Sequence, residues 1–349
     1  MEKLIKGVAY HGNRMLSHIH EDMKDIVNHG FNAILHMFSH NDWDRHKKIM
    51  KEIIEISEGY GLEVWVDNWG LGGPPGDKSH FLAYHPEAHQ YLNNGEMASV
   101  YACYNHPSFV QFTKDWIDTV IEIGGKRIFW DEPHLQSHDW EDGKPARWAC
   151  RCETCQKLYK EKYGKEMPTE YDETIAEFRL SSIAGYFKTV TEYAKEKGIL
   201  ENAVCVMLDQ SYGINLDSLA SICGIDSLDN IGSDPYWPLE MDSYGEAYDF
   251  VYPRAKQNMD VCEHFGKKHN IWIRGYNIPA GREEAVIAAA DAIYDTGARS
   301  IWVWGIRGCE GNDYRAEDPG MTWKMVGEAM SRITNRYYDE LHEAHRRDK

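Results

Sequence analysis

The sequence lacks the features that chains use to bind nucleic acids or membranes. It has 38 basic against 56 acidic residues, a formal net charge of −18, and no run of five basic residues. Because polyanions bind positive surfaces that displace counterions, this charge argues against nucleic-acid and anionic-membrane partners. No stretch approaches the roughly 18 apolar residues of a membrane span, and the first residues lack the apolar core of a signal peptide. We therefore expect a soluble, cytoplasmic protein.

The sequence also has no linker rich in Pro, Gly or Ser and no low-complexity tract. We therefore expect a single domain over residues 1–349. Eight cysteines in a chain of this length are too few for a disulfide scaffold. A hydrophobic content of 42% and 12 Trp are enough for a large core, and Trp can also form flat platforms for sugar rings.

Short apolar runs alternate along the chain with stretches of helical periodicity. The eight predicted strands are Lys6–Tyr10, Asn32–Phe38, Glu63–Asp67, Arg127–Trp130, Ala203–Leu208, Asn230–Gly232, Ile271–Arg274 and Ser300–Trp304. This alternation predicts an α/β fold in which a parallel sheet closes into a (β/α)8 TIM barrel. An open doubly wound sheet is the alternative. It is weakened because no Gly-x-Gly-x-x-Gly turn of the dinucleotide-binding type follows the first strand.

In such a barrel the active site lies at the carboxyl ends of the strands. Acidic residues stand at four successive predicted ends: Asp67, then Asp131 and Glu132, then Asp209, then Asp234. Like charges repel and lose solvation on burial, so a need for stability alone does not gather them. Any single Asp can instead be a turn former or helix cap, whereas Glu is a poor turn residue.

Carboxylates interleaved with aromatic residues favour carbohydrate chemistry. We expect Glu132 to be the general acid/base, with Asp131 tuning its pKa and Asp209 or Asp234 as the second catalytic group. The candidate substrate-binding residues are His11, His40, Asp67, Asn68, Trp69, His134, Tyr236, Trp237, Arg274, Tyr276 and Trp304. Each aromatic member of this set could equally belong to the core.

A cysteine cluster, Cys150, Cys152 and Cys155, has the Cys-x-Cys-x2-Cys spacing of a thiolate metal site. Tetrahedral zinc needs a fourth ligand, which Cys103 could supply. A site of four thiolates is closed, so this zinc would staple the loop after the fourth strand and take no part in chemistry. The alternative is a chance group of buried cysteines. We expect no organic cofactor.

The region Tyr101–Gly164 resembles the catalytic barrel of glycoside hydrolase family 42, the β-galactosidases. The resemblance lies in Cys103-Tyr104-Asn105 before a helix, a strand ending in Asp131-Glu132, and the later CRCETCQ segment. It implies that Cys103, Cys150, Cys152 and Cys155 bind zinc and that Glu132 is the acid/base. Outside this region the agreement is only in barrel layout.

The sequence departs from that family at two catalytic positions. The family has Asn before its acid/base, where this chain has Asp131, and a nucleophilic Glu at the end of the seventh strand. Here the seventh predicted strand ends in Arg274-Gly275-Tyr276-Asn277, without a carboxylate. We therefore expect a glycosidase acting on a carbohydrate substrate, with an inverting mechanism as one option. The sequence leaves open whether identical chains form a homo-oligomer.

Two alternatives belong to other functional classes. A metal-assisted sugar isomerase or hydrolase could draw its ligands from the His and Asp residues at the strand ends. Neither His-x-His nor His-Glu-x-x-His spacing is present to support it. A barrel that binds glycans without cleaving them would explain the missing seventh-strand Glu.

Overall fold

The computed structural model describes residues 2–73, 78–131, 135–206, 221–241 and 243–347. The strands within these ranges are β1 (Ile5–Tyr10), β2 (Ala33–Met37), β3 (Glu63–Asp67), β4 (His89–Tyr91), β5 (Met97–Ala102), β6 (Arg127–Trp130), β7 (Ser137–Glu141), β8 (Lys144–Trp148), β9 (Glu201–Cys205), β10 (Asn230–Ser233), β11 (Lys268–Arg274) and β12 (Ser300–Trp304). The helices are α1 (Leu16–Asn28), α2 (His40–Gly59), α3 (Phe81–Tyr84), α4 (Pro107–Glu122), α5 (Glu153–Tyr163), α6 (Glu173–Glu196), α7 (Tyr244–Phe265), α8 (Glu284–Asp295) and α9 (Pro319–Arg347).

Eight of these strands close into a barrel in the order β1, β12, β11, β10, β9, β6, β3 and β2. Strand β1 pairs in parallel with both β12 and β2, and β11 pairs in parallel with β10 and β12. Helices lie between the consecutive barrel strands wherever the connection is described in full, so the predicted (β/α)8 fold is confirmed and the open sheet is excluded. None of the described helices is long and apolar enough to cross a membrane.

The predicted bounds of three barrel strands agree with the structure. Glu63–Asp67, Arg127–Trp130 and Ser300–Trp304 have the predicted bounds. Strand β9 starts two residues earlier than predicted, because Glu201 is buried and its carboxylate lies 3.4 Å from Arg127 Nε. Strand β11 starts three residues earlier, and its buried Asn270 donates to Asn230 Oδ1 at 2.6 Å. A prediction from the sequence excludes such polar residues from a strand. In the structure their side-chain hydrogen bonds allow them to be buried as part of the strand.

The described chain divides into two compact units. Unit 1 comprises residues 1–37, 48–66 and 230–349, and unit 2 comprises residues 38–47 and 67–229. Unit 1 contains β1, β2 and β10 to β12, and unit 2 contains β6 and β9. The expectation of one domain over the whole chain stays a prediction.

Three barrel strands, β3, β11 and β12, repeat a short pattern in which a Trp follows a polar residue by two positions. The indole N–H of Trp65 donates to Glu63, that of Trp272 to Asn270, and that of Trp302 to Ser300. Residues two apart lie on the same face of a strand, so each strand satisfies its own buried indole. The Trp302 ring occupies the space beside Gly7, where a Cβ would lie 2.0 Å from it.

Two antiparallel hairpins in unit 2 were not predicted. Strands β4 and β5 form one, and β7 and β8 form the other. Strand β5 alternates exposed and half-buried positions, and β7 and β8 contain charged residues, so the buried apolar runs that identify the barrel strands are missing. Each hairpin leads directly to a cysteine, because β5 ends before Cys103 and β8 ends two residues before Cys150.

Candidate functional site

An acidic cluster in unit 2, defined by Asp67, Asn68 and Asp131, lies at the carboxyl ends of β3 and β6. These two strands are neighbours in the barrel. The side-chain oxygen of Asn68 accepts the backbone N–H of Asp131 at 3.1 Å, and the N–H of Asn68 donates to Phe129 O at 3.3 Å. Asn68 therefore fixes where the chain leaves β6, which is the segment that continues into Glu132.

Asp67 is the most deeply buried member of this cluster. Its side chain is 0% exposed, and within the described residues neither carboxyl oxygen has a hydrogen-bond partner. Burial raises the pKa of Asp67 well above its usual value, since the low-dielectric surroundings disfavour the charged form. Such a carboxyl is costly for stability, and perturbed groups of this kind are concentrated at functional sites.

Three of the sequence-predicted site residues, Glu132, His134 and Asp209, lie outside the described residues. Their predicted roles stay predictions. Asp131, which precedes Glu132 directly, is 8% exposed. Trp69 follows the acidic cluster in sequence and is half-buried.

An aromatic cluster in unit 1 surrounds the guanidinium of Arg274 at the end of β11. Its carbon lies 5.0 Å from the centre of the Tyr276 ring, 5.8 Å from Tyr236 and 5.9 Å from Trp237. The rings of Tyr236 and Tyr276 meet edge to face at 5.4 Å. Tyr236 and Tyr276 are half-buried and can offer a face to a ligand, whereas Trp237 is only 2% exposed.

The ends of β1 and β12 bring His11 and Trp304 together. Their rings meet edge to face at 4.5 Å. Burial, reinforced by the charge of Arg14, lowers the pKa of His11 to about 4, so its imidazole is neutral at neutral pH. A neutral imidazole can both donate and accept a hydrogen bond. Asp234, at the end of β10, is half-buried.

The chain passes from the end of β2 into α2. Two side chains there cap the helix, and a third, His40, contacts another histidine. Ser39 and Asp42 bond reciprocally, since the Ser39 N–H donates to Asp42 Oδ2 and the Asp42 N–H to Ser39 Oγ, both at 3.2 Å. Asp42 is therefore a helix-capping residue. His40 instead stacks on His80 with ring centres 3.8 Å apart.

The four predicted metal-binding cysteines of unit 2 come together in one buried group. Cys103, Cys150, Cys152 and Cys155 are each at most 5% exposed, and their sulfur atoms all lie within 4.8 Å of one another. Cys103 Sγ is 3.4 Å from Cys155 Sγ and 3.6 Å from Cys152 Sγ. A disulfide would need about 2.05 Å, whereas sulfur ligands of one tetrahedral zinc ion are about 3.8 Å apart.

The surroundings of the cysteine cluster fit a bound cation. The Asn105 amide donates to Cys155 Sγ at 3.3 Å, and the Cys155 N–H donates to Cys152 Sγ at 3.5 Å. Donors of this kind stabilise thiolates. Hydrogen bonds from the neighbouring thiols lower the pKa of Cys152, whereas the same contacts raise that of Cys103. The buried group could therefore hold a metal ion of the kind that thiolates bind.

Sequence reasoning missed Arg179, a residue of α6 that positions the chain on both sides of hairpin β7–β8. Its guanidinium donates to Ala149 O at 2.6 Å, to Leu135 O at 3.1 Å and to Ser137 Oγ at 2.6 Å. Nothing in its sequence context distinguishes it from a solvated helical arginine. Asn105 is different, because it lies in the segment that resembles family 42 and could have been identified there.

No protein-family model matches the chain, and no curated protein matches it. Among solved structures it is similar to an endo-β-1,4-mannanase from Thermotoga petrophila, with a TM-score of 0.57 and 12% identity over 95% of this chain and 77% of that one. An endo-1,4-β-mannanase from Rhizomucor miehei gives a TM-score of 0.57 and 12% identity over 95% of each chain. At this identity the likeness is one of fold, and it agrees with the observed barrel. The resemblance to family 42 stays limited to its motifs.

Proposed function

We propose that this protein is a glycoside hydrolase in which Glu132 is the general acid/base. The observation that carries the proposal is the concentration of carboxyl groups at neighbouring strand ends, with Asp67 buried beside Asn68, and Asn68 bonded to Asp131. Glu132 follows Asp131 in the chain. The resemblance of Tyr101–Gly164 to family 42 and the fold shared with two mannanases support the same function.

In the proposed reaction Glu132 protonates the glycosidic oxygen while the bond between that oxygen and the anomeric carbon breaks. A water molecule then adds its hydroxide to the anomeric carbon and gives its proton to a carboxylate base. Asp131 would keep the pKa of Glu132 high, since a neighbouring carboxylate disfavours a further negative charge.

The second catalytic group is proposed to be Asp209 or Asp234. The family's position for a nucleophile, at the end of β11, is here occupied by Arg274 among aromatic rings. A base that activates water corresponds to inversion at the anomeric carbon, and a nucleophile corresponds to retention. Tyr236, Tyr276 and Trp304 are proposed to stack on sugar rings, because each is only half-buried.

The proposal is tested with Glu132→Gln on a panel of substrates that includes β-1,4-mannan and aryl β-galactosides. The variant keeps the size of the side chain and removes its acidity, so kcat should fall by about 100- to 10,000-fold. Glu141→Gln, at an exposed position of β7, is the matched control and should keep wild-type turnover. Near-normal turnover of the Glu132 variant would refute the assignment.

The same panel separates inversion from retention. NMR of the first product gives the anomeric configuration before mutarotation. Inverted product together with a large loss in only one of Asp209→Asn and Asp234→Asn identifies the base. Retained product shows that the second carboxylate is a nucleophile.

A barrel that binds glycan without cleavage is the second candidate, and the β11 end favours it. Within the described residues that end presents a cation and aromatic rings in place of a carboxylate. In that case wild type and Glu132→Gln would bind an oligosaccharide with equal affinity, and neither would hydrolyse any member of the panel. A metal-assisted reaction would instead be lost on chelation under conditions that leave the cysteine site filled.

A further inference from the structure

A second group of possible metal ligands lies in unit 2, apart from the cysteines. It consists of His40 and Asp44, one turn apart at the start of α2, and His80, directly before α3. One ligand atom from each lies within 4.8 Å of the other two. Among the described residues this is the only other such group besides the cysteine cluster. We refer to it as the His–Asp cluster.

The distances within the His–Asp cluster are close to those of a metal site. His80 Nε2 lies 3.0 Å from Asp44 Oδ2, and His40 Nε2 lies 3.9 Å from Asp44 Oδ1. Ligand atoms on one tetrahedral zinc ion are about 3.3 to 3.6 Å apart. The side chains of Asp44 and His80 are 47% and 44% exposed, so both have room to adjust by the few tenths of an ångström required.

The hydrogen bonds of Ser79 orient His40 as a ligand. Ser79 Oγ accepts the backbone N–H of Phe81 at 3.1 Å and lies 2.8 Å from His40 Nδ1. With Nδ1–H donating to this oxygen, the lone pair of His40 is on Nε2, the atom that faces Asp44. A metal-bound histidine usually donates its other ring N–H in this way.

The three side chains of the His–Asp cluster bring electron-pair donors together. With that tautomer, the lone pair of His40 Nε2 and the Asp44 carboxylate are both acceptors, and a cation between them makes their approach favourable. His80 Nε2, which lies 3.0 Å from Asp44 Oδ2, adds a third ligand atom. Two imidazoles and one carboxylate suit a borderline cation such as Zn²⁺ or Ni²⁺ better than Mg²⁺ or Ca²⁺.

We propose that His40, Asp44 and His80 form a second divalent-metal site, which takes zinc or nickel and leaves at least one coordination position to water. The ion joins the first turn of α2 to the segment before α3. Because its ligands include exposed side chains, its affinity is lower than that of the closed, buried cysteine site. The proposal does not depend on glycosidase activity.

The test uses the full chain with any affinity tag removed and the cysteine site filled with zinc. Ni²⁺ is titrated by calorimetry, and we expect one further equivalent to bind. His80→Ala and Asp44→Asn should each abolish this binding, and Ser79→Ala should weaken it by about 10- to 100-fold. Both ligand variants alter exposed side chains, and circular dichroism without Ni²⁺ checks that they fold as the wild type does.

His85→Ala is the matched control. His85 also pairs with a carboxylate, at 3.1 Å from Glu87, but it belongs to neither metal-ligand group of the described residues. It should bind Ni²⁺ as the wild type does. Added Co²⁺ should give visible d–d bands without thiolate charge-transfer absorption, which shows that the cysteine site is not being exchanged. Absence of a further equivalent in the wild type, or its persistence in both His80→Ala and Asp44→Asn, overturns the proposal.

Discussion

At the scale of single residues, the buried carboxyl of Asp67 is costly for stability and belongs to the acidic cluster on which the proposed chemistry rests. It is fully buried, and within the described residues its carboxyl oxygens accept no hydrogen bond. An isolated carboxylate in such surroundings loses several kcal/mol of solvation, so burial raises the pKa of Asp67 and favours its protonated form. Asp67 directly precedes Asn68, whose side chain accepts the backbone N–H of Asp131, the residue before the proposed acid/base.

Asp67→Asn should therefore stabilise the protein at neutral pH. The pKa of Asp67 is raised in the folded state, so the folded chain keeps a proton that the unfolded chain loses above about pH 4. The stability of the wild type, relative to the variant, should fall by about 1.4 kcal/mol per pH unit as the pH rises from there toward the folded-state pKa. Urea unfolding at pH 4.5, 5.5 and 7 measures this slope.

Asp42→Asn is the control for this prediction. Asp42 is similarly buried, but its carboxylate accepts the Ser39 N–H and pairs with His46 at 3.2 Å. Its substitution should not stabilise the protein at pH 7. Equal stability changes in the two variants at every pH would contradict the account of Asp67.

At the scale of elements, the two hairpins of unit 2 explain how distant cysteines meet. The Cys103 N–H bonds to Ala88 O at 2.7 Å, at the start of hairpin β4–β5. The Arg151 N–H bonds to Tyr91 O, and the Asn93 N–H to Trp148 O, both at 2.8 Å, which joins the two hairpins. The hairpins are short, so we expect a metal ion to supply part of their stability.

Purified protein should accordingly contain about one zinc ion per chain in the cysteine site. Cys152→Ser should lose this zinc and lower the melting temperature, since a closed site of four ligands stabilises the fold that forms it. Cys223→Ser, at a buried cysteine outside the cluster, should keep the zinc. Elemental analysis and calorimetric melting measure both quantities. Equal zinc content in the two variants would show that the four cysteines do not bind it.

The barrel strands, unlike the hairpins, were predicted from the sequence. In Glu63-Val-Trp65, Asn270-Ile-Trp272 and Ser300-Ile-Trp302 the acceptor for each indole N–H is provided two residues earlier on the same face. The acceptors of these indoles are therefore local to each strand, and only the cross-strand bond from Asn270 to Asn230 escapes the sequence prediction.

At the scale of the whole molecule, buried histidines should make the protein sensitive to acid. Burial lowers the pKa of His11 to about 4 and that of His36 to about 3. The unfolded chain binds these protons near pH 6.5, whereas the folded chain does not. The contribution of His11 and His36 to the free energy of unfolding should thus be fully present above pH 6.5 and fall toward pH 4, by about 1.4 kcal/mol per pH unit for each histidine.

His36→Asn tests this prediction, because it removes one of the two groups. Between pH 6.5 and 4 the decline of unfolding free energy in urea should become shallower by about 1.4 kcal/mol per pH unit. His18→Asn, at an exposed position of α1, should leave the slope unchanged. An unchanged slope in the His36 variant would mean that His36 gains a proton in the folded protein as readily as in the unfolded chain.

The sequence by itself determined the (β/α)8 fold, and it predicted the four cysteines that form one buried cluster. Both rest on signals that are local in the chain, namely the alternation of apolar runs with helical periods and the spacing of Cys150, Cys152 and Cys155. Only the tertiary structure decided that Asn68 holds the chain at Asp131, that Arg179 ties both ends of a hairpin, and that His80 stacks on His40. These contacts join residues far apart in sequence. They depend on the paths of loops and hairpins, which periodicity does not encode, because it reports only which face of each element is buried.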